Sequence, residues 1–286
     1  MPTILDLLAW AENLLQTTGI SSPRADAEWM LTHVLTCSRT DLHLRQTQTP
    51  TRQQTTCYRE LISKRAQRIP LQHLLGQTEF YGLPFYTTPD ALIPRPETET
   101  LVEIVIDHLK DHNSPRILDI GTGSGIIAIT LAKELPGSSV VAIDISHKAL
   151  CLANVNAHLN NVSDRISFVQ TDLLTSIAAP KHFHAIVSNP PYIPSSEIDT
   201  LESEVRVHDP LLALDGGSIG LDFYLKIVPP SVLLLTQGGI LGFEIGHNQA
   251  DAVTQMLTRQ ITLTNIVTHT DLSSHQRVIT SVAKTA

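Results

Sequence analysis

From Arg116 onward, short apolar runs alternate with helically spaced patterns, and no other feature restricts the fold as much. The β-prone runs lie near 116–120, 139–144, 166–170, 183–188, 239–245, 262–268 and 276–283. The helical patterns lie near 125–135, 146–160, 222–236 and 248–259. The runs are almost continuously apolar, as strands are when helices cover both faces of a parallel sheet. The expected fold is α/β, with a seven-stranded, mostly parallel, doubly wound (Rossmann-like) sheet. No helical pattern separates the last two runs, so they should pair as an antiparallel hairpin.

The N-terminal part reads differently. Ile4, Leu5, Leu7, Leu8, Ala11, Leu14 and Leu15 keep helical spacing up to a stop at Gly19. Ser22-Pro23 supplies a capping hydroxyl and then a residue with no amide hydrogen, which starts a second helix with Met30, Leu31, Val34 and Leu35 on one face. The polar stretch Arg45 to Gln54 separates it from a helix carrying Tyr58, Leu61, Ile62 and Ile69, and Pro70 is expected to close the bundle. This gives a helical domain over 1–75 and a β-hairpin linker over 76–92, its two runs broken by Gly82-Leu83-Pro84. The sheet domain follows over 93–286, opening with a helix from about Pro96 that turns Leu101, Val102, Ile104, Val105 and Leu109 inward.

Composition excludes several classes. A net charge of −8 argues against holding nucleic acid mainly through its phosphates, so no direct nucleic-acid binding is expected. Cys37, Cys57 and Cys151 form no C-x-x-C pair and fit reduced thiols in a cytoplasmic protein. The N-terminus has no basic region ahead of its apolar residues and reads as no signal peptide, and no apolar run reaches the length of about 18 residues that spans a membrane. The 13 histidines include no H-E-x-x-H, and His182 and His184 share one face of a strand, so no metal is expected.

The first strand of the sheet domain runs into Asp119-Ile120-Gly121-Thr122-Gly123-Ser124-Gly125, which opens a helix. Glycines here permit positive φ and let a ligand approach the backbone. The spacing is neither G-x-G-x-x-G nor the G-x-x-x-x-G-K-[ST] of a triphosphate cradle. Asp144 ends the second strand, where a carboxylate accepts hydrogen bonds from both hydroxyls of a ribose. The loop alone implies a nucleoside-containing ligand and leaves a nicotinamide oxidoreductase open. Asp119 reads either as part of that site or as a solvated loop carboxylate.

The fourth strand ends in Ser188, and Asn189-Pro190-Pro191-Tyr192 follows. Two prolines remove donors and restrict φ, and Pro190 keeps Asn189 out of the helical region. The segment presents two acceptors, the Asn189 side-chain oxygen and the Pro190 carbonyl, beside the flat face of Tyr192. Two acceptors and a planar face suit a planar –NH2 group. Gripping its hydrogens holds the nitrogen lone pair toward an electrophile, so orientation and electrostatics would supply most of the acceleration.

Asp119 to Gly125, Asp144, Asp172 and Asn189 to Tyr192 together resemble the class I S-adenosylmethionine-dependent methyltransferases that act on planar amino groups. The segments "LIPRPETETLVE", "PLQHLLGQTEFYG", "GLDFY", "FEIGHNQ" and "QRVI" occur in the order of the protein-(glutamine-N5) methyltransferases of peptide chain release factors. That resemblance spans nearly the whole chain, helical domain included. It implies S-adenosylmethionine held by Gly121, Thr122, Gly123, Ser124, Gly125 and Asp144, with adenine contacts from Asp172 and the Leu173 region. It also implies that Asn189 and Pro190 hold the glutamine amide of a Gly-Gly-Gln loop in class 1 release factors, with Tyr192 packed against it and Pro191 stiffening the grip. The helical domain would recognise the protein substrate, and a monomer is expected. An adenine-specific nucleic-acid methyltransferase, which shares N-P-P-Y, and a ribosomal-protein glutamine methyltransferase are the alternatives. Arg95, Glu97 and Glu99 keep two readings: a plain helix start at Pro96 with Glu97 and Glu99 in its first turn, where carboxylates are favoured, or a lid over the cofactor. Phe80-Tyr81 and Phe85-Tyr86 read as packing or as substrate contacts.

Overall fold

Successive residues of the central strands point into different cores. Ile117, Ala185, Val187 and Ile240 pack on one face of the sheet, whereas Leu118, Ile186 and Leu241 pack on the other. That alternation within continuously apolar runs is what a sheet covered on both faces requires. The computed structural model describes residues 1–177, 182–271 and 273–285, so the last position of the expected sheet domain lies outside the described residues.

In chain order the elements are α1 (Ile4–Thr17), α2 (Pro23–Leu35), α3 (Arg39–Leu44), α4 (Arg52–Ala66), α5 (Leu71–Leu75), β1 (Gln77–Phe80) and β2 (Leu83–Tyr86). They continue with α6 (Glu99–Leu109), β3 (Arg116–Ile120), α7 (Ile126–Glu134), β4 (Ser139–Asp144), α8 (His147–Leu159), β5 (Ile166–Gln170) and β6 (Phe183–Ser188). The chain ends with α9 (Ser203–His208), α10 (Asp222–Leu234), β7 (Leu235–Glu244), α11 (Ala250–Thr258), β8 (Leu263–Thr270) and β9 (Gln276–Ala283). Two compact units result: Met1–Gln77 with Glu202–His208, and Thr78–Leu201 with Asp209–Ala286.

The larger unit contains a seven-stranded sheet of order β5-β4-β3-β6-β7-β9-β8. Pairing is parallel from β5 to β7, and β9 runs antiparallel to both β7 and β8. The last two strands thus form the expected hairpin. The strand order reverses direction between β3 and β6, and ligands bind at the carboxyl edge of such a switch point. β7 starts at Leu235, ahead of the expected position, because Gly238-Gly239 does not end the strand. It makes a bulge: pairing with β6 shifts from Phe183↔Leu235 to Ala185↔Ile240, and Gly238 takes φ 72°.

The hairpin turn also differs from expectation. Tyr81 and Gly82 carry it, with φ of 53° and 70°, the positive pair of a two-residue turn. Leu83 and Pro84 therefore lie in β2. Phe80 and Phe85 meet edge to face at 6.2 Å and are buried, which settles their role as packing.

In the smaller unit, Leu7, Leu8, Leu15, Met30, Leu31, Tyr58 and Ile62 form the core. Pro70 does not close the bundle: it caps α5, which follows it. α3 is capped by Ser38, whose hydroxyl accepts from the Asp41 amide while Asp41 accepts from the Ser38 amide. Arg65 is buried, with Nε on Asp26 Oδ2 at 2.7 Å and Nη2 on Glu204 Oε2 at 2.9 Å, so it holds α2, α4 and α9 together. Burial raises the pKa of Asp26 and the guanidinium of Arg65 opposes that rise. Arg65→Ala leaves Asp26 without its cation and should cost about 3–5 kcal/mol in chemical unfolding. A loss below about 1 kcal/mol would contradict this assignment.

Candidate active site

The loop between β3 and α7 is held by the strand ends beside it. The amides of Gly121 and Thr122 both donate to the Ile143 carbonyl at 2.9 Å. Asp144 fastens the loop from β4: its Oδ2 accepts from the Gly123 amide at 2.9 Å and its Oδ1 from the Ser146 amide at 2.8 Å. Each oxygen retains lone-pair capacity toward the cavity. Gly123 takes φ 56°, and a Cβ there would meet nothing within 4 Å, so the backbone is open to a ligand. Gly125 also meets a packing requirement. A Cβ there would lie 2.8 Å from Ile129 Cδ1 and 3.1 Å from the Ala153 Cβ, so this glycine lets α7 approach α8.

Asp119 is not a solvated carboxylate. It is completely buried and accepts from the Thr122 hydroxyl at 2.6 Å. Burial pushes its pKa up to about 7, against the opposing effect of the Thr122 hydroxyl and the Ala128 backbone, and the charge of Asp144 adds to the rise.

A cavity of about 240 Å³ opens along this edge. Gly121, Thr122, Gly123, Ser124 and Asp144 line one side of it. Asp172 and Leu173 follow β5 and line it too, Leu173 in a left-handed conformation at φ 49° that a branched aliphatic residue seldom adopts. Asn189, Pro190 and Pro191 complete the other side, beyond β6. Gly125 and Tyr192 are not among the lining residues.

The segment after β6 is braced on several sides. The Ser188 hydroxyl donates to the Ile120 carbonyl at 2.6 Å, joining the ends of β6 and β3. Gly216 packs so closely that a Cβ would lie 2.8 Å from the Pro191 carbonyl oxygen, and the Gly216 amide donates to the Ile193 carbonyl at 2.8 Å. Gln249 Nε2 donates to the Tyr192 carbonyl at 2.8 Å. Asn189 Nδ2 donates to Thr98 Oγ1 at 3.2 Å, and the Thr98 hydroxyl donates to Glu244 Oε2 at 2.5 Å. The Tyr192 hydroxyl lies 3.4 Å from Glu244 Oε1, a long contact, and the ring packs on the second core. Burial drives Glu244 up to about 7 and Tyr192 up to about 12.

Thr98 and Glu244 escaped the sequence reading. The available signal was a carboxylate standing alone in the apolar strand run that leads to "FEIG". Arg95, Glu97 and Glu99 separate in the structure. Arg95 lines the cavity and is paired with buried Asp209 at 3.0 Å, while Glu99 accepts from the Tyr81 amide at 2.8 Å and braces the hairpin turn. Glu97 stands in the single 3-10 turn between them, Pro96–Thr98.

Residues 6–76 match the family model described as the PrmC N-terminal domain, and residues 98–209 match the methyltransferase small domain. A release factor glutamine methyltransferase of Rhodopirellula baltica is 37% identical, covering 97% of this chain and 95% of its own. The chain belongs to the release factor glutamine methyltransferase family. A second family member, from Geobacter sulfurreducens, is 40% identical over 90% of this chain and 89% of its own. Among solved structures, the hMettl16 catalytic domain in complex with the MAT2A 3′UTR hairpin 6 superposes with a TM-score of 0.58, at 20% identity over 79% of this chain and 82% of that one. A methyltransferase from Pyrococcus furiosus superposes at 0.53, at 17% identity over 78% of this chain and 100% of that one. These two share the fold.

The buried carboxylate of this family member generates a pH prediction. Folded Asp119 keeps its proton up to about pH 7, whereas its unperturbed value is 3.8. Between those values the folded state holds more protons, so this group's contribution to stability falls as pH rises. The melting temperature of Asp119→Asn relative to the parent should therefore move in the variant's favour from about pH 5 to about pH 8. A difference that does not change with pH would contradict the burial of an ionisable group there.

Proposed function

We propose that this chain transfers a methyl group from S-adenosylmethionine to the side-chain amide nitrogen of the glutamine in the Gly-Gly-Gln motif of class 1 peptide chain release factors, and so modulates translation termination. One observation carries the reading: the braced Asn189-Pro190-Pro191 segment lines the same cavity as the glycine loop and Asp144. A site for a planar amide and a site for a nucleoside thus share one space. Family membership supplies the substrate class, since the relatives are named for release factor glutamine methylation.

The residues present fit the cofactor. The open backbone at Gly121 and Gly123, where a Cβ would meet nothing within 4 Å, allows close approach of a ligand. Gly121, Thr122, Gly123, Ser124 and Asp144 would hold its amino-acid and ribose parts, and Asp172 and Leu173 its adenine, with Asn189 closing the site. S-adenosylmethionine, when bound, supplies an electrophilic methyl carbon on a sulfonium.

Every other contribution is positional. Asn189 Oδ1 and the Pro190 carbonyl accept the two hydrogens of the substrate –NH2. An amide nitrogen is a poor nucleophile because its lone pair is delocalised, and two fixed acceptors hold that lone pair on the line of attack. The alkylated amide is acidic and releases its proton without a strong base. Tyr192 acts as an anchor of the segment, through Glu244 and through its own carbonyl on Gln249.

We assign recognition of the protein substrate to the helical domain, 1–75, and cofactor binding to the domain from 93 onward, with the linker 76–92 between them. The acidic balance of −8 suits a partner with basic patches. We further propose a monomer acting in the cytoplasm. No helix among the described residues is long and apolar enough to cross a membrane, which is compatible with that location.

Incubation with S-adenosylmethionine and each class 1 release factor should add one methyl group to the Gly-Gly-Gln peptide, read by mass spectrometry. No mass gain on that peptide would reject the proposal. Asn189→Ala should lower kcat on the release factor about 10²–10³-fold while leaving binding of S-adenosylmethionine within a few-fold. Full turnover in that variant would remove Asn189 from the mechanism.

A further inference from the structure

Asn189 cannot fix the direction of its own amide. Its two ends are nearly the same size, and one is an acceptor while the other is a double donor. Only the oxygen serves a substrate –NH2. Whatever sets the amide's direction therefore decides whether the site attracts or repels its substrate.

Thr98 and Glu244 supply that decision. Both are buried, Thr98 completely. The Thr98 hydroxyl has one proton, and it goes to Glu244 Oε2 at 2.5 Å. Only lone pairs then remain to face Asn189, so the amide presents its Nδ2 to Thr98 at 3.2 Å and turns Oδ1 away. An ionised carboxylate can only accept, which makes the chain of hydrogen bonds run one way, from Asn189 to Thr98 to Glu244. A protonated Glu244 can donate to Thr98, whose own proton is then free to turn toward Asn189 and draw Oδ1 with it.

Beyond the long 3.4 Å contact from the Tyr192 hydroxyl, Thr98 is the side chain that engages the Glu244 carboxylate among the described residues. Arg277, the cation nearest in effect, is paired with Asp271 at 3.4 Å instead. A buried carboxylate without an ion pair is costly. We infer that Glu244 is a positioning residue that acts through Thr98 to hold the Asn189 side-chain oxygen toward the substrate amide. The inference rests on the proposed glutamine methylation and deepens it.

The groups facing Glu244 come from four elements. Glu97 and Thr98 belong to the turn before α6, Tyr192 to the segment after β6, Tyr224 to α10 and Arg277 to β9. Burial holds both tyrosines neutral through the working pH range, so protonation of Glu244 is the event that reverses the chain.

The test uses the full-length protein with S-adenosylmethionine and a class 1 release factor. Thr98→Val keeps the shape and removes the relay, whereas Thr98→Ser keeps the hydroxyl. Thr98→Val should lower kcat about ten- to a hundredfold, with KM for S-adenosylmethionine within about twofold, and Thr98→Ser should stay within about threefold of the parent. Glu244→Gln, whose –NH2 can donate to Thr98, should match Thr98→Val. The parent's kcat should fall on the acid side of about pH 7, and that limb should vanish in Thr98→Val. Equal activity of Thr98→Val and Thr98→Ser, or a limb that persists in Thr98→Val, would overturn the inference even if Glu244→Gln failed to fold. A parent that methylates no release factor would instead overturn the functional reading, which separates the two failures.

Discussion

The position of β3 between β4 and β6 is the constraint on which the site depends. Ile120 is in register with Ile143 on one side and with Ser188 on the other. The glycine loop therefore leaves the sheet between Asp144 and Asn189, and two separate chemical requirements meet at one edge. Helices cover both faces, so a ligand is left the strand ends, and the cavity opens at the carboxyl ends of these strands. A shift of β6 by one residue would turn Ala185 and Val187 into the wrong core and would carry Asn189 away from the cavity.

What could be read in the sequence was local. The strand–loop–helix turn, Asp144 at a strand end and the run of two prolines each act through neighbours a few residues away, and each left a spacing that could be recognised. The same holds for Ser38-x-x-Asp41, a cap signal that was present although the helix behind it was not expected. Thr98 and Glu244 had no such mark. Thr98 reaches Asn189 across 91 positions and Glu244 across 146, so their partnership exists only after the sheet has formed. Two glycine positions take their meaning only from the fold: Gly238-Gly239 makes a bulge within β7, and Gly125, besides standing in the glycine loop, spaces two helices.

The fold also carries costs at this edge. Asp119 and Glu244 are both buried carboxylates with pKa values near 7. Neither stabilises the sheet in the way an apolar residue of similar size would. Asp119 orients Thr122 in the glycine loop, and Glu244 orients Thr98 beside Asn189. Local stability is given up where side chains must point in one direction, a pattern expected of catalytic centres. On the proposed mechanism the prolines after Asn189 serve the same end, since a stiff segment would lose little freedom when a substrate binds.

In the proposed mechanism a donor-poor grip, made by one asparagine oxygen and one proline carbonyl, fixes a carboxamide nitrogen for attack. A crystal structure of the protein with S-adenosylhomocysteine and a Gly-Gly-Gln peptide tests it most directly. The glutamine nitrogen should lie within about 3 Å of both Asn189 Oδ1 and the Pro190 carbonyl oxygen, and be aimed at the sulfur. A glutamine nitrogen bound elsewhere, or facing the Asn189 nitrogen, would contradict it.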